Sequence, residues 1–76
     1  MNITNEIFKI ISEKTGRPIE DMDVNDSLFH DFDLDSIQVL EILEEVENKF
    51  QITIDIEKMI LIIEISDMIQ LVEEYK

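Results

Sequence analysis

A long run of helical periodicity in the middle of the chain dictates much of the fold. Apolar residues recur there every three or four positions with glutamates between them, and the stripe consists of Val39, Ile42, Leu43, Val46 and Phe50. This period predicts an amphipathic helix with one buried face. Asp35 is placed to cap the start of this helix 2, and Gln38, three residues later, completes a capping box.

The same periodicity predicts two further main helices. Helix 1 is expected at about residues 4–15, because Gly16 suits the left-handed residue that ends a helix and Pro18 cannot continue one. The last helix is expected to begin at Ser66 or Asp67, with Ser66 as its cap, and to run to Tyr75. A short helix is expected before it, near residues 57–62.

Two connections complete the predicted fold. Residues 17–35 lack a long periodic pattern but contain scattered apolar residues, so we expect an ordered loop with one helical turn near residues 26–29. Residues 52–56 alternate as a strand would, yet no second strand is in sight to pair with them, and we interpret them as an extended connection. The expected fold is one all-α domain of residues 1–76, a small bundle of three main helices. It has a short helix before the last one and a long ordered loop between helices 1 and 2.

The composition limits how this domain is stabilised and what it binds. A chain of 76 residues has a small core, and without cysteine it must be stabilised by packing. Its 19 acidic and 6 basic residues give a formal net charge of -13, which argues against a nucleic-acid partner. Residues 18–48 contain no Lys or Arg, so this part of the chain is expected to attract basic protein surfaces.

No segment of the sequence has the features of a secretory signal or the length of a bilayer-spanning apolar stretch. We therefore expect a cytoplasmic protein that does not insert into membranes, and we expect it to be a monomer.

Ser36 is the residue most suited to modification. It follows the predicted cap of helix 2, where backbone N–H groups are free and the helix dipole is positive. A phosphate ester on its hydroxyl would be favourably placed there. The plain alternative is that Ser36 only helps to start the helix.

The surrounding sequence favours modification. Residues 31–42, DFDLDSIQVLEI, resemble the phosphopantetheine attachment site of acyl carrier proteins. The resemblance extends over nearly the whole chain, through Gly16 before the long loop, FQITI at residues 50–54 and ISD at residues 65–67. It implies that a Mg²⁺-dependent phosphopantetheinyl transferase attaches 4'-phosphopantetheine from coenzyme A to Ser36. It also implies that the protein is not an enzyme but a carrier.

The resemblance further implies which group is carried and which enzymes receive it. The arm would present a thioester-bound acyl group to enzymes of fatty-acid, polyketide or related biosynthesis, or an aminoacyl group as peptidyl and D-alanyl carriers do. These loading and biosynthetic enzymes would dock through basic surfaces on the exposed face of helix 2. The residues assigned to that docking face are Asp35, Ile37, Gln38, Glu41, Glu44, Glu45, Glu47 and Asn48.

Two parts of this interpretation have equal or stronger alternatives. Ile37 is either an exposed apolar anchor on the docking face or an ordinary core residue. Residues 59–63 would by resemblance line a cleft for the cargo, but packing in the core is the commoner use of such residues.

The chain departs from the common pattern of these carriers at four positions. Asp33 and Gln51 stand where Gly is frequent, although Asp tolerates a left-handed backbone better than most residues. Gln38 replaces a frequent acid and Asp55 a frequent Pro. These departures concern the choice of partner and leave the attachment serine in place.

Three other functions were tested against the sequence. Neither Asp21 nor Asp31 begins a complete EF-hand loop, because the sixth position lacks Gly and the twelfth lacks Glu in both frames, and we expect no dedicated metal site. Nucleophilic catalysis by Ser36 would need a base, and the only histidine, His30, lies in no recognisable catalytic motif. A non-carrier acidic adaptor that binds basic proteins is the remaining rival.

Overall fold

The computed structural model describes residues 2–75, which form four α-helices and no β-strand. The helices are α1 (Ile3–Thr15), α2 (Ser36–Phe50), α3 (Ile56–Met59) and α4 (Ile65–Tyr75). The predicted all-α bundle of three main helices, with a short helix before the last, is confirmed. No helix within the described residues is long and apolar enough to cross a bilayer.

Local signals fix both ends of α1. The side chain of Asn2 accepts a hydrogen bond from the N–H of Asn5 at 3.1 Å and so caps the first turn. Gly16 has a φ of 78°, in the left-handed region, and its N–H donates to the carbonyl of Ser12 at 2.8 Å. The predicted end of this helix is confirmed.

One apolar core connects the three long helices and the long loop. Its buried members are Ile7, Ile11, Leu28, Phe32, Leu34, Val39, Ile42, Leu43, Val46, Ile54, Ile62, Ile65, Met68, Leu71 and Val72. The stripe of α2 is buried as predicted, with Phe50 half-buried at its end. Because the loop contributes Leu28, Phe32 and Leu34, its second half is held on the core.

The long loop contains one helical element that was not expected, and only an isolated turn where a helical turn was expected. A single 3-10 turn spans Ile19–Asp21, whereas the sequence predicted a helical turn near residues 26–29. At that place an isolated turn is closed by the N–H of Asp31, which donates to the carbonyl of Ser27 at 2.9 Å. The Asp31 carboxylate in turn accepts the N–H of Ser27 at 2.6 Å. Such side-chain bonds to nearby backbone compete with helix formation.

The start of α4 corrects a second prediction. The helix begins at Ile65, so Ser66 lies inside it and is not its cap. The N–H groups of Ile65 and Ser66 donate to the carbonyls of Asp26 and Val24, at 3.2 and 2.8 Å, in the long loop. Bonds between distant segments therefore satisfy this helix start, and Ser66 is not needed for it.

The segment between α2 and α3 is an extended connection, as predicted. Residues 52–55 form no strand, and the N–H of Ile54 donates to the Glu47 carboxylate at 2.7 Å. The short helix α3 then covers residues 56–59, which is less than the predicted range of 57–62 at its C-terminal end.

Candidate functional site

Ser36 is the first residue of α2 and its side chain is exposed. The cap before it is the predicted capping box: the N–H of Gln38 donates to Asp35 Oδ1 at 2.8 Å, and the N–H of Asp35 donates to Gln38 Oε1 at 3.0 Å. Within the described residues, the N–H groups of Ser36 and Ile37 have no acceptor. An anion beside Ser36 would therefore meet two free donors and the positive end of a helix.

The loop holds Ser36 in a fixed place. Leu34, two residues before it, is buried, and its N–H donates to the carbonyl of Leu28 at 3.2 Å. Val39, three residues after Ser36, is buried in the core on the α2 side. The chain is thus anchored closely on both sides of an exposed hydroxyl.

Asp33 adopts the left-handed backbone that its position requires. Its φ is 55°, and Gln51, which ends α2, has a φ of 57°. These are two of the positions where the sequence departs from the Gly frequent in related carriers. Gln51 offsets part of the conformational cost, since its side-chain amide donates to the carbonyl of Asn48 at 2.8 Å.

A small pocket of about 150 Å³ opens beside Ser36. It lies between α2, the long loop and the α3 region, and it is lined by Phe29, Ser36, Val39, Leu40, Met59, Ile60 and Ile62. Apart from the serine, every lining side chain is apolar. An alkyl group attached near Ser36 would find a surface of matching polarity here.

The sequence predicted part of this pocket. Residues 59–63 were expected either to pack in the core or to line a cleft for the cargo, and the structure shows both arrangements. Ile62 is buried in the core, whereas Ile60 is 76% exposed and borders the pocket. Phe29 and Leu40 were not assigned to the site. Leu40 follows Ser36 by four residues, so helical spacing places both on one face of α2 and could have identified it.

The residues assigned to the docking face lie mostly on the outside of α2. Ile37 is 69% exposed, which places it among the exposed residues and not in the core. The other exposed members are Asp35, Gln38, Glu41, Glu44, Glu45 and Asn48. Glu47 is half-buried, and its carboxylate accepts the N–H of Ile54, so one of its oxygens is already engaged in the fold.

The acids of this face differ in their surroundings. Glu41 pairs with Lys14 of α1 at 3.4 Å. Glu44 makes no ion pair within residues 2–75 and is exposed. Its full charge is therefore available to an approaching basic surface.

The geometry around Ser36 suits a residue modified by another protein. No described side chain hydrogen bonds to its hydroxyl, and the exposed His30 bonds through its backbone N–H, which donates to the Ser27 hydroxyl at 3.2 Å. Within the described residues, no three His, Asp or Glu side chains are grouped as a metal site would require.

Comparison with known proteins shows the family of this chain. The family described as "Phosphopantetheine attachment site" matches residues 5–72. Among curated relatives, an acyl carrier protein from Rickettsia bellii is 28% identical over 99% of this chain and 87% of its own length. One from Streptococcus thermophilus is 30% identical over 97% of this chain and 96% of its own length.

The fold is similar to a solved structure as well. The crystal structure of an acyl carrier protein from Thermotoga maritima superposes with a TM-score of 0.80 at 28% sequence identity. The match covers 93% of this chain and 82% of that one.

Proposed function

Because the chain belongs to the acyl carrier protein family, whose covalently attached group is 4'-phosphopantetheine, we propose that Ser36 is the attachment residue of a carrier domain formed by residues 1–76. The observation that carries this proposal is the exposed Ser36 hydroxyl at the start of α2, beyond a complete capping box. A phosphopantetheinyl transferase can reach that oxygen without any rearrangement of the core.

The residues around Ser36 fit the arm. The N–H groups of Ser36 and Ile37 are free to donate to the phosphate of the attached group, at the positive end of α2. When bound, the arm supplies the terminal thiol that this cysteine-free chain lacks and that holds the cargo as a thioester. The protein's own part is to fix the attachment point and present it to partner enzymes.

The pocket beside Ser36 favours an acyl cargo over an aminoacyl one. Its walls are apolar, with Val39, Leu40 and Met59 among them, and within residues 2–75 no charged side chain lines it to pair with an amino group. We therefore propose a carrier of acyl groups for fatty-acid, polyketide or related biosynthesis.

Loading with the arm tests the carrier function directly. The apo protein should gain the mass of one phosphopantetheine when incubated with coenzyme A, Mg²⁺ and a broad-specificity transferase, as measured by intact-mass spectrometry. Unchanged mass with several competent transferases would leave the acidic adaptor as the better interpretation.

Docking through the exposed face of α2 predicts a charge-dependent association rate. We expect Glu44→Lys to slow association with a basic transferase roughly fourfold at low ionic strength. Two charge units at about 10 Å in water change the encounter energy by about 0.8 kcal/mol. Stopped-flow measurement of the association rate tests this, and about 1 M salt should remove most of the difference.

Glu73→Lys is the matched control for this prediction. Glu73 lies on α4, is exposed and makes no ion pair within residues 2–75, so the substitution gives the same net charge. Equal slowing by Glu73→Lys and Glu44→Lys would mean that only net charge matters and that α2 is not the docking face.

A further inference from the structure

Residues 55–62, here called the α3 unit, form a self-contained piece of backbone. The N–H of Met59 donates to the carbonyl of Asp55 at 3.1 Å, that of Ile60 to Ile56 at 3.2 Å, and that of Ile62 to Met59 at 3.2 Å. Each of these bonds begins and ends within the unit. The unit can therefore change its position without breaking its own hydrogen bonds.

Apart from the N–H of Asp55, which bonds to Tyr75, the backbone hydrogen bonds to the rest of the described protein lie just outside the α3 unit. On one side, the N–H of Ile54 donates to the Glu47 carboxylate at 2.7 Å. On the other side, the carbonyl of Ile63 accepts the N–H of Leu28 at 2.9 Å, and the N–H of Ile63 donates to Asp67 at 2.9 Å. These hydrogen bonds hold Ile54 and Ile63 in place, and the α3 unit between these two fixed points can rotate relative to them.

Between the fixed points, the α3 unit has one buried side chain, that of Ile62, and its helical part is weakly packed. None of the residues of α3, Ile56–Met59, is buried. The pocket of about 150 Å³ beside Ser36 borders the unit on one side, and a second cleft, of about 250 Å³, lies between the unit and α4. Open space on two sides gives the unit room to move.

Three contacts from the last turn of α4 hold the α3 unit from outside. The Tyr75 hydroxyl accepts the N–H of Asp55 at 3.3 Å. The Lys58 ammonium lies 5.2 Å from the centre of the Tyr75 ring and 3.6 Å from the Glu74 carboxylate. Each contact is individually weak because these groups are partly solvated. Together they are the side-chain bonds that tie the unit to α4.

We propose that Tyr75, Lys58 and Glu74 form a latch that sets the position of the α3 unit and thereby the width of the pocket beside Ser36. Met59 and Ile60 supply part of one wall of that pocket, so movement of α3 relative to the buried Ile62 moves the wall. Tyr75 is a positioning residue, remote from Ser36 along the chain. The latch concerns the unmodified protein, and only the pocket's use for cargo rests on the proposed function.

Hydrogen exchange of the apo protein tests whether the latch holds the unit. The variant Tyr75→Phe with Lys58→Met removes the hydroxyl acceptor and the cation while keeping the ring and an apolar stem. The amides of Met59, Ile60 and Ile62 should exchange about five- to thirtyfold faster. The amides of Leu43 and Val46 in α2 should be unaffected.

The control is Lys9→Met, which removes a comparable surface ion pair with Glu6, at 3.9 Å in α1. It should leave exchange in the α3 unit unchanged. The proposal is overturned if the double variant does not accelerate the α3-unit amides, or if it accelerates those of Leu43 and Val46 equally. Since no arm is attached, this result does not depend on whether Ser36 can be loaded.

A thiol reporter tests whether the pocket itself opens. The chain has no cysteine, so Val39→Cys introduces a single thiol into the wall of the pocket. Its reaction with the neutral reagent N-ethylmaleimide should accelerate by a similar factor when the latch is removed. Val46→Cys, buried in α2 outside the pocket, should not respond. No acceleration at Val39→Cys would refute the link between the latch and the pocket.

Discussion

Ser36→Ala is expected to abolish incorporation of phosphopantetheine completely while leaving the fold intact. The substitution removes the only atom that can form the phosphodiester at this position. It costs little stability, because the Ser36 side chain is exposed and the cap of α2 is made by Asp35 and Gln38. Intact-mass spectrometry after incubation with coenzyme A, Mg²⁺ and a transferase measures the loss, and thermal unfolding checks the fold.

Ser12→Ala is the matched control, because Ser12 is another serine at the surface, in α1. It should load as the unchanged protein does, although it loses a hydrogen bond of 2.6 Å from its hydroxyl to the carbonyl of Arg17. A mass gain in Ser36→Ala would show that another residue accepts the arm. A Ser36→Ala protein that still supports acyl transfer would show that the chain acts as an adaptor.

The largest effect on stability is expected from Leu28→Ala. Leu28 is fully buried, and its side chain packs in the core that the long loop shares with the three long helices. Truncating such a leucine costs about 2–5 kcal/mol. The free energy of unfolding of a domain is about 5–15 kcal/mol, and a 76-residue chain lies at the low end. Urea denaturation should show a large decrease in the midpoint with little change in slope.

Leu61→Ala provides the same chemical change at the surface. Leu61 is 72% exposed, so the free energy of unfolding should change by no more than about 0.5 kcal/mol. If both leucine variants unfolded at similar urea concentrations, the assignment of Leu28 to the centre of the core would be wrong.

The elements that the sequence predicted well are those controlled by residues close together in the chain. The capping box at Asp35 and Gln38, the buried stripe of α2 and the left-handed Gly16 each depend on neighbours within one or two turns. The start of α4 could not be predicted in this way, because the N–H groups of Ile65 and Ser66 bond to the long loop, some 40 residues away. Nothing in the sequence close to residue 65 indicates that these N–H groups bond to the long loop.

In the candidate site, too, some features follow from residues close together in the chain and others depend on distant residues. The exposed face of α2 follows from the helical period, whereas Ser36 was assigned from the resemblance of residues 31–42 to the attachment site of acyl carrier proteins. The sequence left Ile37 open between an exposed anchor and a core residue, and in the structure it is exposed. The pocket could not be predicted fully, because Phe29, Leu40 and Ile60 come from three separate segments that only the folded loop brings together. The latch at Tyr75 was not predicted for the same reason.

If Ser36 bears the arm as proposed, the close anchoring of the chain around it limits where motion can arise in the loaded carrier. Leu34 and Val39 are both buried, so the attachment point of the arm would stay nearly stationary relative to the bundle. The distance that a cargo can travel from one enzyme to the next is then set by the length of the tether and by the tumbling of the whole molecule. An enzyme that receives the cargo must therefore accommodate this end of α2 as a rigid shape.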